Sequence, residues 1–277
     1  MNEFPTILGP PNFNLSVKHS VVHRICTKGP PLVARARRLA PDRLKAAKIE
    51  FEAMMQMGIC RPSSSPYASP LHMVAKRGSN DWRTCGDYRQ LNAITIPDRY
   101  PLPSLVDFSA NLSGMKVFSK VDVVRAYHHV PVAPEDIEKT AVVTPFGRIE
   151  FVCMSFGLRN AAQTFQRFMH QVVRGLDFVF VYLDDVMVAS RTPEEHREHL
   201  QLLFQRFEEY GLRIKASKCV FGVAKLSFLG HEITAEGICP LKERVDAILE
   251  LPIPTFVRTL TCTAHPCSIR SVPSYSH

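Results

Sequence analysis

Two stretches in the middle of the chain have patterns that predict short β-strands: one consists of two apolar runs, and in the other apolar and polar positions alternate. Residues 178–189 form two runs of aromatic and β-branched residues, separated by a pair of acidic side chains where a tight turn is expected. Along residues 117–123 every second position is valine or serine, so Phe118, Lys120 and Asp122 are expected to share the opposite strand face. The pattern predicts a hairpin and a half-buried strand, both carrying carboxylates.

Three other segments have the spacing of amphipathic helices: Pro41 to about Met57, Asn160 to about Arg174, and Thr192 to Gly211. Asn160 is expected to cap the second helix, and Thr192-Pro193-Glu194-Glu195 is a capping box that opens the third. The apolar stripe of the third helix consists of Leu200, Leu203, Phe204 and Phe207. Helices that alternate with hairpins predict an α+β fold, with a sheet covered by helices on one face.

The remaining segments are rich in proline, glycine or charge. Residues 1–40 are basic and show little periodicity, which predicts an extended N-terminal arm. Two proline-rich segments, 61–70 and 96–103, are expected to be irregular, and Gly78-Ser79-Asn80-Asp81 is typical of a hairpin turn. Residues 134–140 are expected to form a short helix.

The charge of the chain favours an anionic partner. The 277 residues carry a net charge of +8, with a pI near 9.1. Between Lys28 and Lys48 there are seven lysines and arginines against one acid, Asp42. Such a run could follow a phosphate backbone, although a solvated helix face explains each residue taken alone.

Cysteines and histidines give no sign of a disulfide framework or a zinc site. The eight cysteines have no paired spacing, which is typical of reduced thiols. Too few ligands accompany Cys262, His265 and Cys267 for zinc, and His196 and His199 are expected on a solvated helix face. Without a bilayer-length apolar run or a signal-peptide core, we expect a soluble protein of the cytoplasm or nucleus.

The acidic pair Asp184-Asp185 is the strongest candidate for chemistry. An acidic hairpin turn is the simplest explanation, but two adjacent carboxylates between buried strands repel each other unless a cation joins them. A third carboxylate would complete a set of oxygen ligands suited to Mg²⁺. Asp122 is the best candidate for it, although an aspartate near a strand end is often only a solvated or capping residue.

Short motifs distributed along the chain match one known family in the family's own order. They lie at 61–71, 82–92, 97–103, 118–122, 126–127, 139–141, 144–147, 156–161, 164–167, 182–185, 218–219 and 228–231. The most specific are Phe118-Ser119-Lys120-Val121-Asp122, Tyr182-Leu183-Asp184-Asp185 and Phe228-Leu229-Gly230-His231. In these motifs the chain resembles the reverse transcriptases of Ty3/gypsy-type retrotransposons with long terminal repeats. The resemblance covers roughly residues 23 to 254.

This resemblance implies a right-hand polymerase fold of fingers and palm, with an antiparallel palm sheet covered by helices. It implies templated transfer of nucleotides from deoxynucleoside triphosphates to a primer 3′-hydroxyl, with two Mg²⁺ ions, or Mn²⁺ in their place. The implied catalytic residues and metal ligands are Asp122, Asp184 and Asp185, together with the backbone carbonyl of Val123. The implied nucleotide-binding residues are Lys76, Arg83, Tyr127, Phe156 and Gly157. The implied template and primer contacts are Arg89, Asn92, Tyr182, Phe228, Leu229, Gly230 and His231.

On the same basis, residues 41–234 are expected to form the reverse transcriptase domain, with a core at about 57–233, and 235–258 to begin a thumb or connection. From about Leu260 the family motifs end, so we expect an incomplete thumb and a disordered tail at 259–277. Two hypotheses remain: an RNA-directed DNA polymerase, or an inert, truncated retroelement remnant that at most binds nucleic acid. The expected partners are a primed RNA or DNA template, the nucleotides, and ribonuclease H and integrase segments of a parent polyprotein, with no membrane.

Overall fold

The computed structural model describes residues 4–8, 13, 18–75, 82–105 and 108–250. Lys76, the predicted turn at 78–81 and the predicted tail at 259–277 lie outside the described residues. Within the described ranges, no helix is both long and apolar enough to cross a bilayer.

The helices are α1 (Pro5–Leu8), α2 (Pro41–Gln56), α3 (Arg89–Ile94), α4 (Ala161–Val172), α5 (Pro193–Tyr210) and α6 (Lys242–Leu249). Short 3₁₀ helices occur at Ser109–Leu112, Ala126–His129, Pro134–Thr140 and Ala216–Lys218. The strands are β1 (Cys60–Pro62), β2 (Ser69–Ala75), β3 (Trp82–Gly86), β4 (Val117–Asp122), β5 (Val142–Thr144), β6 (Gly147–Phe151), β7 (Val179–Tyr182), β8 (Asp185–Ser190), β9 (Val220–Val223), β10 (Leu226–Phe228), β11 (His231–Thr234) and β12 (Gly237–Pro240). The predicted helices at 41–57 and 192–211 are confirmed as α2 and α5.

A four-stranded antiparallel sheet, in the order β7-β8-β4-β9, forms the centre of the fold. Helices α4 and α5 cover one face, where Val121 and Val186 are fully buried. The other face buries Phe118, Phe180 and Met187 in a second core. This arrangement confirms the predicted α+β class and the alternation along β4, because Phe118 and Val121 lie in different cores.

A five-stranded sheet, in the order β1-β6-β5-β2-β3, lies beside the central one. All of its neighbouring strands are antiparallel except β2 and β5. Helix α2 packs on it through Phe51, whose ring centroid lies 5.8 Å from that of Phe146. The sheet carries Arg83 on β3, in an antiparallel pair with β2.

A three-stranded antiparallel sheet, β10-β11-β12, closes the second core. Its Phe228 packs edge-on against Phe180 of β7, with ring centroids 6.0 Å apart. Since Phe228 is 1% exposed, this sheet is anchored directly on the face of the central sheet opposite α4 and α5.

Helix α5 begins and ends as its sequence predicts. Thr192 Oγ1 accepts a 3.2 Å hydrogen bond from the amide of Glu195, whose carboxylate accepts one of 2.6 Å from the amide of Arg191. Gly211 ends the helix in the left-handed conformation, with φ of +74°. The predicted stripe is also confirmed, since Leu203, Phe204 and Phe207 are buried and Leu200 is partly buried.

The expectation that His196 and His199 lie on a solvated face is wrong. His196 is 3% exposed, and its two ring nitrogens lie 2.6 Å from Ser119 Oγ and 2.7 Å from Ser190 Oγ. His199 Nδ1 lies 2.8 Å from Ser190 Oγ, and its ring stacks on Phe178. Buried imidazoles need hydrogen-bond partners, and the serines of β4 and β8 provide them.

Asn160 does not cap helix α4 with its side chain. Its Oδ1 accepts a 3.0 Å hydrogen bond from the amide of Asp98, and its Nδ2 donates one of 2.8 Å to the carbonyl of Ile96. Asn160 does hold the N-cap position of α4, as predicted, but the irregular 96–103 segment passes close enough to take its side-chain amide.

Residues 18–40 of the N-terminal arm are extended but lie against the folded domain. Isolated bridges join His23 to Val132, Thr27 to Thr95 and Val33 to Ala68. Asp136 accepts a 2.8 Å hydrogen bond from the amide of Ile25, while Lys139 donates one of 2.9 Å to the Ile25 carbonyl. Further upstream, α1 is a helical turn where the sequence predicted extended chain.

Candidate active site

Asp122 and Asp185 lie directly opposite each other in the central sheet. Asp122, the last residue of β4, is the Cα partner of Asp185, the first residue of β8. On its other side Asp185 is paired with Tyr182 of β7. Because directly paired residues share a face of a sheet, the three side chains form a row across three strands.

Leu183 and Asp184 form the two-residue turn between β7 and β8. Leu183 has a φ of +52°. Glycine is preferred at the first position of such a turn, and other residues are destabilised there by roughly 1–2 kcal/mol. Asp184 is exposed, and its carbonyl accepts a 3.4 Å hydrogen bond from the amide of Val123. The turn thus carries one exposed carboxylate, followed by the buried Asp185.

Two lysines lie close to two of the three carboxylates. Lys120 Nζ lies 2.7 Å from Asp185 Oδ1, and Lys218 Nζ lies 3.7 Å from Asp122 Oδ2. Among the residues that the structure describes, no three His, Cys, Asp or Glu side chains are gathered in a metal-binding geometry. The donor chemistry fits Mg²⁺ all the same, because three carboxylates from adjoining positions provide only oxygen ligands.

An aromatic cluster of Tyr127, Phe156 and Phe165 lies beside these carboxylates. The ring of Tyr127 is 4.8 Å from that of Phe156 and 5.3 Å from that of Phe165. The guanidinium of Arg83 lies 5.6 Å from the centroid of Phe156, which is 36% exposed. Burial raises the pKa of Tyr127, and the neighbouring carboxylate of Asp184 adds to the shift. Carboxylates, aromatic rings and a cation therefore follow one another along a single surface.

Asn92 supports the loop that carries Phe156 and Gly157. Its Nδ2 donates a 2.8 Å hydrogen bond to the carbonyl of Gly157, and its Oδ1 accepts one of 2.9 Å from the amide of Arg159. Gly157 has a φ of +87°, and a β-carbon there would approach the carbonyl of Gly86 to 3.4 Å. The side chain of Asn92 is therefore engaged within the protein.

Arg89 is held by an acidic neighbour. Its guanidinium makes two hydrogen bonds to Asp87, of 2.8 and 2.7 Å, and Arg37 of the arm makes a third of 2.6 Å. The bond from Arg89 is the main reason that the pKa of Asp87 lies well below its usual range. The arm and α3 therefore meet at one charged cluster on the surface.

The turn between β10 and β11 is formed by Leu229 and Gly230, both with positive φ, of +48° and +78°. Two positive values are typical of a tight hairpin turn. His231 Nδ1 lies 3.2 Å from the carbonyl of Leu229, and the guanidinium of Arg244 packs against Gly230. Phe228 is buried below the turn, within 5.6 Å of Lys120 Nζ, so it supports the hairpin from inside.

A family model described as "Reverse transcriptase (RNA-dependent DNA polymerase)" matches residues 74–233, which is more than half of the chain. This chain belongs to the reverse transcriptase family. The matched segment contains the three candidate aspartates, the aromatic cluster and the hairpin at 228–231.

Curated relatives of this chain are polyproteins of retrotransposons. The Retrovirus-related Pol polyprotein from transposon 297 of Drosophila melanogaster is 35% identical over 262 residues, which cover 92% of this chain and 25% of that protein. The corresponding polyprotein from transposon gypsy is 36% identical over 215 residues, covering 75% of this chain and 21% of that protein. The Transposon Tf2-3 polyprotein of Schizosaccharomyces pombe is 30% identical over 76% of this chain. The chain thus spans about a quarter or less of these relatives, and the resemblance inferred from the motifs is confirmed.

Solved structures with the same fold include foamy viral protease–reverse transcriptases. One, in complex with an RNA/DNA hybrid, has a TM-score of 0.81 at 19% identity, covering 95% of this chain and 36% of that one. Another, in complex with double-stranded DNA, has a TM-score of 0.80, covering 89% of this chain and 44% of that one. At this identity the likeness establishes the fold, and the predicted polymerase fold is confirmed.

Sequence reasoning did not assign roles to two residues of this candidate site. Lys120 was placed on the face of Asp122 by strand alternation, a signal that could have suggested its ion pair with Asp185. Gln166, in a matching motif on α4, is fully buried and contacts the backbone of the Tyr182–Asp185 turn. A glutamine among the apolar residues of α4 was the signal available for it.

Proposed function

We propose that this reverse transcriptase chain is an RNA-directed DNA polymerase. It would transfer a nucleotidyl group from a deoxynucleoside triphosphate to the 3′-hydroxyl of a primer paired with an RNA or DNA template. The observation that carries the proposal is the placement of Asp122 directly opposite Asp185, with Asp184 in the adjoining turn. Membership of the family supports it, as does the aromatic cluster beside the three carboxylates.

In this proposal Asp122, Asp184 and Asp185, with the backbone carbonyl of Val123, hold two Mg²⁺ ions, or Mn²⁺ in their place. When bound, such ions stabilise the charge on the attacking and leaving oxygens of an in-line displacement. The chain itself holds the carboxylates close together. Lys120 is paired with the buried Asp185, and the register of β4 with β8 places Asp122 directly opposite Asp185.

The incoming nucleotide would lie over the aromatic cluster of Tyr127, Phe156 and Phe165. Arg83 offers planar, paired N–H donors for the triphosphate, and Lys76, from the neighbouring segment, would provide a second cation. In this proposal Tyr127 would exclude a ribose 2′-hydroxyl by its bulk. Phe156 and Gly157 would line the nucleotide-binding site. Asn92 would act indirectly, because its hydrogen bond to the carbonyl of Gly157 holds their loop.

The template and primer would follow the two remaining groups of residues. Arg89, with Asn92 behind it, would face the template, while Tyr182 and the hairpin at 228–231 would face the primer. Phe228 is buried, so the contact would come from Leu229, Gly230 and His231. Ribonuclease H and integrase segments of a parent Pol polyprotein would be the partners, in a cytoplasmic particle or the nucleus.

The test is primer extension by the 277-residue chain on poly(rA)/oligo(dT) with Mg²⁺, together with a gel shift on the same template–primer. The double variant Asp184→Asn/Asp185→Asn should lose incorporation by at least about three orders of magnitude while still binding template–primer. Asp177→Asn, at an exposed position just before β7, is the matched control and should keep wild-type incorporation.

Binding without incorporation by the wild-type chain would reject the polymerase and favour the nucleic-acid-binding remnant. Equal incorporation by wild type and the double variant would reject the assignment of the two aspartates.

A further inference from the structure

Gln166 lies in the middle of α4 and is fully buried. Its Nε2 donates a 2.9 Å hydrogen bond to the carbonyl of Val181, and its Oε1 accepts one of 2.8 Å from the amide of Leu183. The side-chain nitrogen of Gln166, Nε2, also lies 2.9 Å from Nε2 of His170, one helical turn further along α4. One side chain therefore binds the backbone on both sides of Tyr182.

The partners of Gln166 determine the orientation of its amide. A backbone N–H can only donate and a carbonyl can only accept, so the oxygen must face Leu183 and the nitrogen must face Val181. The second N–H is then directed at His170 Nε2, which must accept, so the proton of that imidazole is on Nδ1. This proton is donated to the hydroxyl of Tyr100, 2.8 Å away. Both N–H groups of Gln166 are used, and its oxygen accepts one hydrogen bond.

The backbone that Gln166 holds is the strained part of the site. Leu183 has a φ of +52°, which a leucine rarely adopts unless its surroundings impose it. The Leu183 amide is bonded to a side chain that is confined by its surroundings, because Gln166 is fully buried on α4 with Phe165 and Met169 buried beside it. Asp184 and Asp185 follow Leu183 directly, so their positions depend on this conformation.

We infer that Gln166 is a positioning residue for the Tyr182–Asp185 turn, fixing Leu183 in the left-handed conformation and thereby placing Asp184 and Asp185. His170, itself hydrogen-bonded to Tyr100, orients the glutamine amide through its contact with Gln166 Nε2. The consequence for catalysis rests on the proposed polymerase function, whereas the hold on the turn does not.

The test compares Gln166→Met with Gln171→Met, the same exchange at an exposed position of α4. Amide hydrogen exchange of Leu183, followed by NMR after ¹⁵N-leucine labelling, should be roughly tenfold faster in Gln166→Met and unchanged in the control. Mn²⁺ affinity, measured by calorimetry, should fall about tenfold in Gln166→Met only. In primer extension, kcat should fall at least as much, with template–primer binding retained.

Unchanged exchange at Leu183 in a folded Gln166→Met protein would overturn the inference. Faster exchange with wild-type Mn²⁺ affinity and kcat would overturn it as well, because the turn would then position the aspartates unaided. Faster exchange and weaker Mn²⁺ binding, in a chain whose wild type incorporates nothing, would support the inference and reject the polymerase. If Gln166→Met does not fold, His170→Phe takes its place. Its Leu183 exchange should rise severalfold, and an unchanged rate would overturn the inference.

Discussion

The ammonium of Lys120 lies 2.7 Å from the carboxylate of Asp185, and both side chains are largely buried, at 21% and 10% exposure. The same ammonium is 5.6 Å from the ring of Phe228, below the hairpin at 228–231. Lys120 therefore joins the carboxylate cluster to the sheet that carries this hairpin. Asp185 faces Asp122 directly across β4 and β8, so Lys120 also reduces the repulsion between two like charges.

Lys120→Met should lower the free energy of unfolding by about 2 kcal/mol, because Asp185 stays buried without its cation. The melting temperature should fall by roughly 5 °C. Added Mn²⁺ should raise the melting temperature of this variant more than that of wild type, since the ion supplies the missing positive charge.

The matched control is Lys218→Met. Lys218 is 3.7 Å from Asp122 and its side chain is 58% exposed, so its loss should change stability by less than about 0.5 kcal/mol. Equal melting temperatures for the two variants would contradict the role of Lys120.

Asn92→Leu should impair nucleotide binding rather than template binding. The substitution removes the hydrogen bonds to the carbonyl of Gly157 and from the amide of Arg159, which should cost about 2 kcal/mol of stability. With the Phe156 loop released, KM for the nucleotide should rise roughly tenfold while the template–primer Kd stays at its wild-type value. Asn111→Leu, at an exposed position, is the control. A weakened template Kd with unchanged KM would show instead that Asn92 contacts the template.

Tyr127→Ala should relax the selection against ribonucleotides. The ring of Tyr127 lies between Phe156 and Phe165, and its removal opens space where the proposed sugar would lie. The ratio of kcat/KM for a deoxynucleotide to that for the ribonucleotide should fall at least about tenfold. Tyr127→Phe keeps the bulk and should keep the ratio. Because both substrates are compared on one protein, a loss of stability in the alanine variant cancels out.

Acid should destabilise the domain through buried histidines. Burial lowers the pKa of His23 to about 4, that of His128 to about 3 and that of His129 to about 4, from an ordinary value of 6.5. A lowered pKa means that the unfolded chain binds the proton first, so stability is complete above pH 6.5 and is lost as the pH falls below it. Each of these histidines should cost about 2 kcal/mol by pH 5.

His128→Phe isolates one of these contributions. His128 is buried and its Nδ1 has no hydrogen-bond partner within the described chain, so phenylalanine should be accommodated there. Between pH 7 and pH 5, urea unfolding should show a loss about 2 kcal/mol smaller than in wild type. Between pH 7 and pH 8 the two proteins should change alike. An equal acid-induced loss in both would mean that His128 does not contribute.

Local pattern alone predicted much of this fold. The alternation along 117–123 separates Phe118 and Val121 into different cores, and the signals at Thr192 and Gly211 start and end α5 within a residue. These features depend on neighbours a few positions away in the chain. The motifs around Asp122 and Asp184 likewise predicted the family that the comparisons confirm.

Long-range polar pairing, by contrast, was decided only by the tertiary structure. Asn160 has the residue type of a helix cap but binds Ile96 and Asp98, and His196 has charged neighbours in sequence but is buried between two serines. Gln166 likewise finds its partners on another element, at Val181 and Leu183. The periodicity of hydrophobic residues and the capping of helices depend on residues a few positions apart, so both can be predicted from the sequence. A buried polar group takes whichever partner the packed chain brings near it, and only the assembled fold determines that partner.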